Sequence, residues 1–274
     1  MTYDVQGLGA LDYLPYRHGT SRLVFRGPRR ELEAPYVAFL GGTQTFGKFI
    51  EQPYPLKVEH LTGVTSVNLG QINAGLDVFA NETVLHEISR NARVTVLEVL
   101  GATNLGNPFY AVHPRRNDRF LRASKPLKEL YPDVDFTQFN FIQHMLQHLW
   151  TLDAERFELV KRMLQRVWVR RMRKLIKKLG TGVVLLKLDV HETNNDWLGH
   201  MQKGPTFVTD KMIDRLCPLV KATVPVPSVI VTRNRQMEGM VFNLFQEKAA
   251  LALQGSEYHT AVANVLRPVL DRLM

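Results

Sequence analysis

The stretch YVAFLGGTQTFGKFI, Tyr36 to Ile50, carries an apolar run straight into a turn of glycines and threonines and out towards a helix. A short continuous apolar run bounded by glycines reads as a strand buried on both faces. The same pattern recurs along the chain. Further apolar runs lie at 64–70 (VTSVNLG), 92–101 (ARVTVLEVLG), 182–189 (GVVLLKLD) and 228–232 (SVIVT). Between them, 47–63 reads as a helix with a proline-interrupted start, 76–91 as a helix ending at Asn91, and 139–179 as a long helical region closed by Gly180. At the C-terminus, Val262, Val265, Leu266, Val269, Leu270 and Leu273 form one more helical stripe. Apolar strands alternating with helices predict an α/β fold: a three-layer, doubly wound, mainly parallel five-stranded sheet with helices on both faces. Residues 1–34 are expected to form an N-terminal extension packed on that domain. Residues 35–274 form the domain itself, with a long loop and helical insertion at about 105–180.

The chain has 274 residues and a mass of 31.4 kDa, within the size of one large domain. Folding would bury about 70–75% of its extended-chain surface. No apolar run approaches the roughly 18 residues of a membrane span. The N-terminus lacks the basic start, apolar stretch and small-residue cleavage site of a secretory signal, so a cytoplasmic protein is expected. The lone Cys217 forms no internal disulfide and no cysteine metal cluster, and burial in an apolar face is its expected role. A formal net charge of +9 asks for an anionic partner. Much of that excess lies in KRMLQRVWVRRMRKLIKKLG, Lys161 to Gly180. In and just before it, Phe157, Val160, Met163, Leu164, Val167, Met172, Leu175 and Ile176 keep helical spacing while basic residues fill the remaining arc, which predicts a crossover helix with a solvated basic face. No aromatic-interleaved patch or recognised nucleic-acid motif accompanies it, and no nucleic-acid partner is expected.

In open α/β sheets, ligands collect outside the carboxyl ends of the strands. The residues leaving each strand are therefore the informative ones. They are Gly42-Thr43-Gln44-Thr45, Asn68-Leu69-Gly70, Ala102-Thr103-Asn104 and the segment HETNNDW at 191–197. Each of these exits is polar or glycine-rich, which points to a site rather than to an isolated turn. Gly41-Gly42 permits a sharp exit from the first strand, and Thr45 is expected to cap the helix that follows.

At these residues the layout resembles that of the SGNH or GDSL hydrolases, which are esterases, lipases and carbohydrate acetylesterases on a flavodoxin-like sheet. GGTQTFG resembles their first block, with Gly42 at the aspartate position and Thr43 at the nucleophilic serine. NLGQINAG and GATN resemble the second and third, which would make the Gly70 amide and the Asn104 side chain oxyanion donors. SEYHTAVANVLRPVL resembles the fourth, with His259 as general base and Ser256 where the acidic partner would stand. Glu257, Asp189 or Glu192 would then supply the carboxylate. The resemblance implies an esterase or acyltransferase acting on an acyl ester, requiring no cofactor, with a coenzyme A thioester as one conceivable co-substrate. The alternative is a catalytically degenerate fold of this type that binds an anionic metabolite. A second resemblance links 104–124 (NLGNPFYAVHPRRNDRFLRAS) and 25–32 (FRGPRREL) to an uncharacterised bacterial protein family, and it names no reaction.

His113, Arg115, Arg116 and Arg119 fall within one short loop downstream of Asn104. Arginine forks suit phosphate, sulfate or carboxylate and stay charged at any relevant pH, so the expected partner is a small anionic or acylated molecule. Pairing with Asp118, Asp133 or Asp135 is the competing reading, and Arg26, Arg29 and Arg30 carry the same ambiguity. His144 and His148 lie one helical turn apart without a third ligand, and no metal is expected. The segment 191–200, with His191, Glu192, Asp196 and His200, reads as a pocket edge or a polar capping turn. No P-loop or dinucleotide-binding glycine motif is present, and self-association is left open by the sequence.

Overall fold

A computed structural model describes residues 11–189, 205–227 and 237–274. Its strands in chain order are β1 (Tyr36–Leu40), β2 (Thr65–Asn68), β3 (Val94–Glu98), the short β4 (Tyr110–Val112) and β5 (Phe120–Ala123), then β6 (Val183–Leu188) and β7 (Ala222–Val226). Five of them form one parallel sheet in the order β2-β1-β3-β6-β7, and β4 pairs with β5 as a separate antiparallel hairpin. The alternation of side chains shows why the strands are apolar throughout. Tyr36, Ala38 and Leu40 of β1 enter one core with Leu97, Val183 and Leu185, whereas Val37 and Phe39 enter a second with Val94, Val96, Val184 and Leu186. A period of two with both faces buried requires helices on both faces.

The first face is covered by α3 (Leu76–Ala80), α4 (Thr83–Asn91), α6 (Ile142–Leu152) and α7 (Ala154–Leu179). The second is covered by α2 (Tyr54–Thr62) and α10 (Ser256–Leu273), which pack on each other through Tyr54, Val58, Tyr258, Val262 and Leu266. The remaining short helices are α1 (Thr43–Phe46), α5 (Lys125–Leu130), α8 (Asp210–Asp214) and α9 (Glu247–Leu251). The expected three-layer α/β architecture is therefore the one found.

Local chemistry sets the boundaries that periodicity misplaces. The long helical region expected over 139–179 divides at Asp153, whose side chain accepts from Arg156 N–H at 2.9 Å and starts α7 afresh. Gly180, at φ 103°, ends α7 as expected. The stretch 76–91 breaks at Asn81, whose side-chain amide donates to Asp77 O at 3.1 Å. Helix α2 begins only at Tyr54, where Pro55 occupies the first turn. The sheet's fifth strand is Ala222–Val226, and the run expected at 228–232 lies outside the described residues. Its Pro225 removes one ladder donor, which an edge strand tolerates.

Residues 11–34 join the domain through Leu23 and Phe25, both in the first core, and through a bridge between Tyr16 and Phe25. Cys217 corrects its expectation: it is exposed at the start of a single 3-10 turn. Among the described residues no helix is long and apolar enough to cross a membrane.

Candidate functional site

Within the sheet the chain runs from β1 outward to β2 and then returns across β1 to β3, so strand order reverses between β1 and β3. A crevice is expected there, outside the carboxyl ends of those two strands. Its floor is made by Gly41-Gly42 leaving β1 and by Glu98, the last residue of β3. Glu98 is buried, and its Oε2 accepts from Gly42 N–H at 2.8 Å and from the Thr45 hydroxyl at 2.5 Å. Thr45 Oγ1 in turn lies 2.6 Å from the Tyr54 hydroxyl. With the threonine proton given to the carboxylate, Tyr54 is the donor in that second bond.

The chain of polar groups continues through Tyr54 to α10. The backbone N–H of Tyr54 donates to His259 Nδ1 at 3.1 Å, and the two rings stack with centroids 5.8 Å apart. Accepting at Nδ1 leaves the proton of a neutral imidazole on Nε2, which is buried without a hydrogen-bond partner among the described residues. Burial, reinforced by the positive charges of Arg26 and Lys57, lowers the His259 pKa to about 3. Burial raises the pKa of Glu98, opposed by the Thr45 hydroxyl and by the Gly42 and Thr45 amides. Burial also lifts Tyr54 well above its ordinary value, with the nearby Glu98 carboxylate adding to the shift.

The donors of the glycine–threonine turn are thus already taken by a carboxyl oxygen, and that acceptor belongs to the protein. A Cβ at Gly41 would run into Thr45 Oγ1 and the Glu98 carboxylate, so glycine is what lets the carboxylate approach. Thr45 does not cap a helix. It sits inside α1, fully buried, and α1 starts at Gly42 with no side-chain cap.

The residues singled out from the sequence occupy different parts of this edge. Thr43 Oγ1 accepts from Asn73 N–H at 3.0 Å and lies 3.4 Å from Asn73 Oδ1, on the exposed side of the turn. The structure gives Thr43 and His259 separate partners. The Gly70 amide donates to Asn68 Oδ1 at 3.0 Å, and Gly70 itself abuts the backbone of Phe46. Asn104 Oδ1 lies 3.5 Å from Thr103 Oγ1. Asp189 follows β6, with its carboxylate 3.8 Å from Lys187 Nζ and its carbonyl accepting from the Tyr258 hydroxyl at 2.9 Å. Glu257 is exposed in the first turn of α10, beside the half-buried Ser256. Glu192 and the rest of 191–200 lie outside the described residues.

The arginine loop is built as the connection of the β4–β5 hairpin. His113 Nδ1 accepts from the backbone N–H groups of Arg115 (3.3 Å) and Arg116 (3.1 Å), and His113 N–H donates to Arg119 O at 2.9 Å. Asn117 is fully buried and pins the loop to the turn before α3, accepting from Gly75 N–H at 3.0 Å and Val78 N–H at 3.3 Å. Asp118 accepts from the Asn73 side chain at 3.3 Å, so Thr43, Asn73 and Asp118 join the β1 exit to the loop. Arg115 and Arg116 are exposed, and the Arg119 guanidinium lies 3.9 Å from the centre of the Phe141 ring. Among the described residues none of these arginines has an ion pair, and Asp135 bonds instead to Thr137.

Other candidates resolve into structural roles. Arg26 is buried and donates to the carbonyls of Phe46, Gly47 and Glu51, closing the end of α1, while Arg30 pairs with Glu59 at 2.7 Å. His144 and His148 both pack against Phe139, with ring centroids 5.1 and 5.3 Å away. Among the described residues no group of three metal-ligating side chains occurs. Sequence reasoning missed Glu98 and Tyr54. A single carboxylate inside the apolar run ARVTVLEVLG was the available signal for Glu98, because a buried charge requires partners. Tyr54, between two prolines, offered none.

Fold and site together define a parallel α/β protein whose strand-order reversal is closed by an internal carboxylate and rimmed by an arginine hairpin. The chain belongs to the family described as Domain of unknown function (DUF6473), whose model matches residues 1–274. A search of curated proteins found no match.

Proposed function

We propose that the protein binds a small anionic molecule at the carboxyl edge of its sheet, with Arg115, Arg116 and Arg119 as the recognising groups. The observation that carries this reading is the state of those arginines: a buried asparagine fixes their loop beside the β1 exit, while no carboxylate among the described residues pairs with them. Guanidinium forks held on a fixed backbone suit phosphate, sulfate or carboxylate oxygens. The ligand class is therefore phosphorylated or sulfated metabolites, nucleotides and coenzyme A derivatives. An acyl-ester reaction draws less support. Thr43 is bonded to Asn73, and the His259 imidazole is enclosed with its pKa lowered to about 3, a poor base at neutral pH.

Titration calorimetry against coenzyme A, nucleoside diphosphates and phosphorylated or sulfated sugars tests the proposal. The expected outcome is saturable binding to at least one of them, weakened at least about tenfold in Arg115→Gln/Arg116→Gln, because each charge-assisted bond contributes about 1.5–3 kcal/mol. No heat with any of these anions, from protein with the loop intact, would remove it.

A further inference from the structure

A second basic feature lies on α7. On α7, Arg162, Arg166, Arg170, Arg173, Lys174 and Lys177 are all exposed. Steps of four, four, three, one and three residues place them along one side of the helix. The stripe runs about 22 Å at the helical rise of 1.5 Å per residue. After Glu158 the helix contains no acidic residue. Arg173 donates to a backbone carbonyl, that of Arg215, and the other five have no ion pair or hydrogen bond among the described residues. Elsewhere on the same helix the basic residues are engaged: Arg171 pairs with Asp77 at 2.6 Å, and Lys178 donates to Ala80 O at 2.6 Å. Neutralisation is thus available in this fold, and among the described residues the stripe is left without it.

We infer that this face of α7 docks on an anionic phospholipid surface, in a contact independent of the small-molecule site proposed above. Charge complementarity selects an anion, and the seating of the helix selects among anions. The opposite side of α7 is buried in the first core, through Phe157, Val160, Leu164, Trp168, Met172, Leu175 and Leu179, and the helix packs against α3, α4 and α6. A helix held flat in this way cannot enter a nucleic-acid groove, which needs a protruding element. Trp168, the one aromatic residue in the basic stretch, is fully buried, so no ring is offered for stacking on unpaired bases. What remains is a shallow cationic strip, suited to many headgroups at once. Each Lys or Arg at such a surface strengthens adsorption about fivefold.

Co-sedimentation with vesicles of phosphatidylcholine alone, and of phosphatidylcholine with about 30% phosphatidylserine, tests this at low and at about 0.5 M salt. Binding is expected only to the anionic vesicles and only at low salt. The variant Arg166→Gln/Arg170→Gln/Arg173→Gln/Lys177→Gln should lose it by at least a hundredfold. Replacing the three arginines by lysine should retain it, since charge rather than a particular side-chain geometry is the requirement. Equal binding to both vesicle types, an unchanged quadruple variant, or tighter binding to duplex DNA or single-stranded RNA at matched salt would each overturn the inference. The outcome is independent of ligand titration at Arg115 and Arg116.

Discussion

The β1 exit and the hairpin loop at 113–119 meet at one end of the sheet through Thr43, Asn73 and Asp118, yet they spend their hydrogen-bonding capacity in opposite ways. At the β1 exit, the Gly42 amide, the Thr45 hydroxyl, the Tyr54 hydroxyl and the Glu98 carboxylate satisfy one another inside the protein. In the loop, the backbone is tied down by His113 and Asn117 while Arg115 and Arg116 are left exposed and Arg119 stacks on Phe141. A glycine-rich strand exit is thus no guarantee of a ligand site. Such a turn presents donors, and whether they face a ligand depends on whether the neighbouring strand delivers a carboxylate to them. Here β3 does.

The contrast breaks most severely at Gly41. Gly41→Ala places a methyl group against Thr45 and Glu98, both buried and hydrogen-bonded to each other, and should destabilise the fold by about 3 kcal/mol or more. Glu98→Ala should cost about 2–4 kcal/mol, because it opens a cavity and leaves the Gly42 amide buried without an acceptor. Glu98→Gln keeps an acceptor in place and should cost less. Urea denaturation ranks the three. A Gly41→Ala protein as stable as the parent would show that the carboxylate is loosely held and that the exit is open to a ligand after all.

His259 sets the next largest effect, and it appears only in acid. Its folded pKa of about 3 lies below the ordinary 6.5, so the folded state favours the neutral ring. Protonation therefore favours unfolding. The stabilisation is complete above about pH 6.5 and is lost as pH falls towards 3, at up to about 1.4 kcal/mol per pH unit. Arg26 and Lys57 face the ring with like charge and reinforce that sign. Glu98 acts oppositely, since its raised pKa favours the protonated carboxyl and its contribution declines as pH rises through the folded value. In the His259→Gln protein the acid limb between pH 6.5 and 4 should flatten. An acid limb as steep as the parent's would place the titrating group elsewhere.

The sheet was legible because parallel strands buried on both faces leave continuous apolar runs, and β1, β2, β3 and β6 all carry them. Strand β7 escaped because ATVPV is edge sequence, short, half-exposed and broken by Pro225, with no run to recognise. The candidate site was readable in the sequence only as a set of strand exits. The resemblance to the SGNH hydrolases brought Thr43 and His259 forward, but pairing depends on where α10 and α2 pack, and Tyr54 takes the histidine through a backbone N–H that no side-chain pattern encodes. Asn117 illustrates the same limit. In HPRRND the arginines draw attention, while the buried asparagine between them and Asp118 fixes the loop.

Thr43 gives the smallest effect and the finest discrimination between the two regions. Thr43→Ala removes one exposed contact with Asn73, worth under about 1 kcal/mol, and leaves the enclosed Glu98–Thr45–Tyr54 chain untouched. Asn73 holds a left-handed backbone, φ 56°, and carries the contact onward to Asp118. Loosening it should shift the loop rather than the core. The expected signature is near-parental stability combined with a few-fold weaker anion binding, read by denaturation and calorimetry on the same protein. Should Thr43→Ala instead abolish turnover of a short acyl ester that the parent hydrolyses, the hydroxyl would be chemically engaged, and the β1 exit, not the loop, would be the working half of this edge.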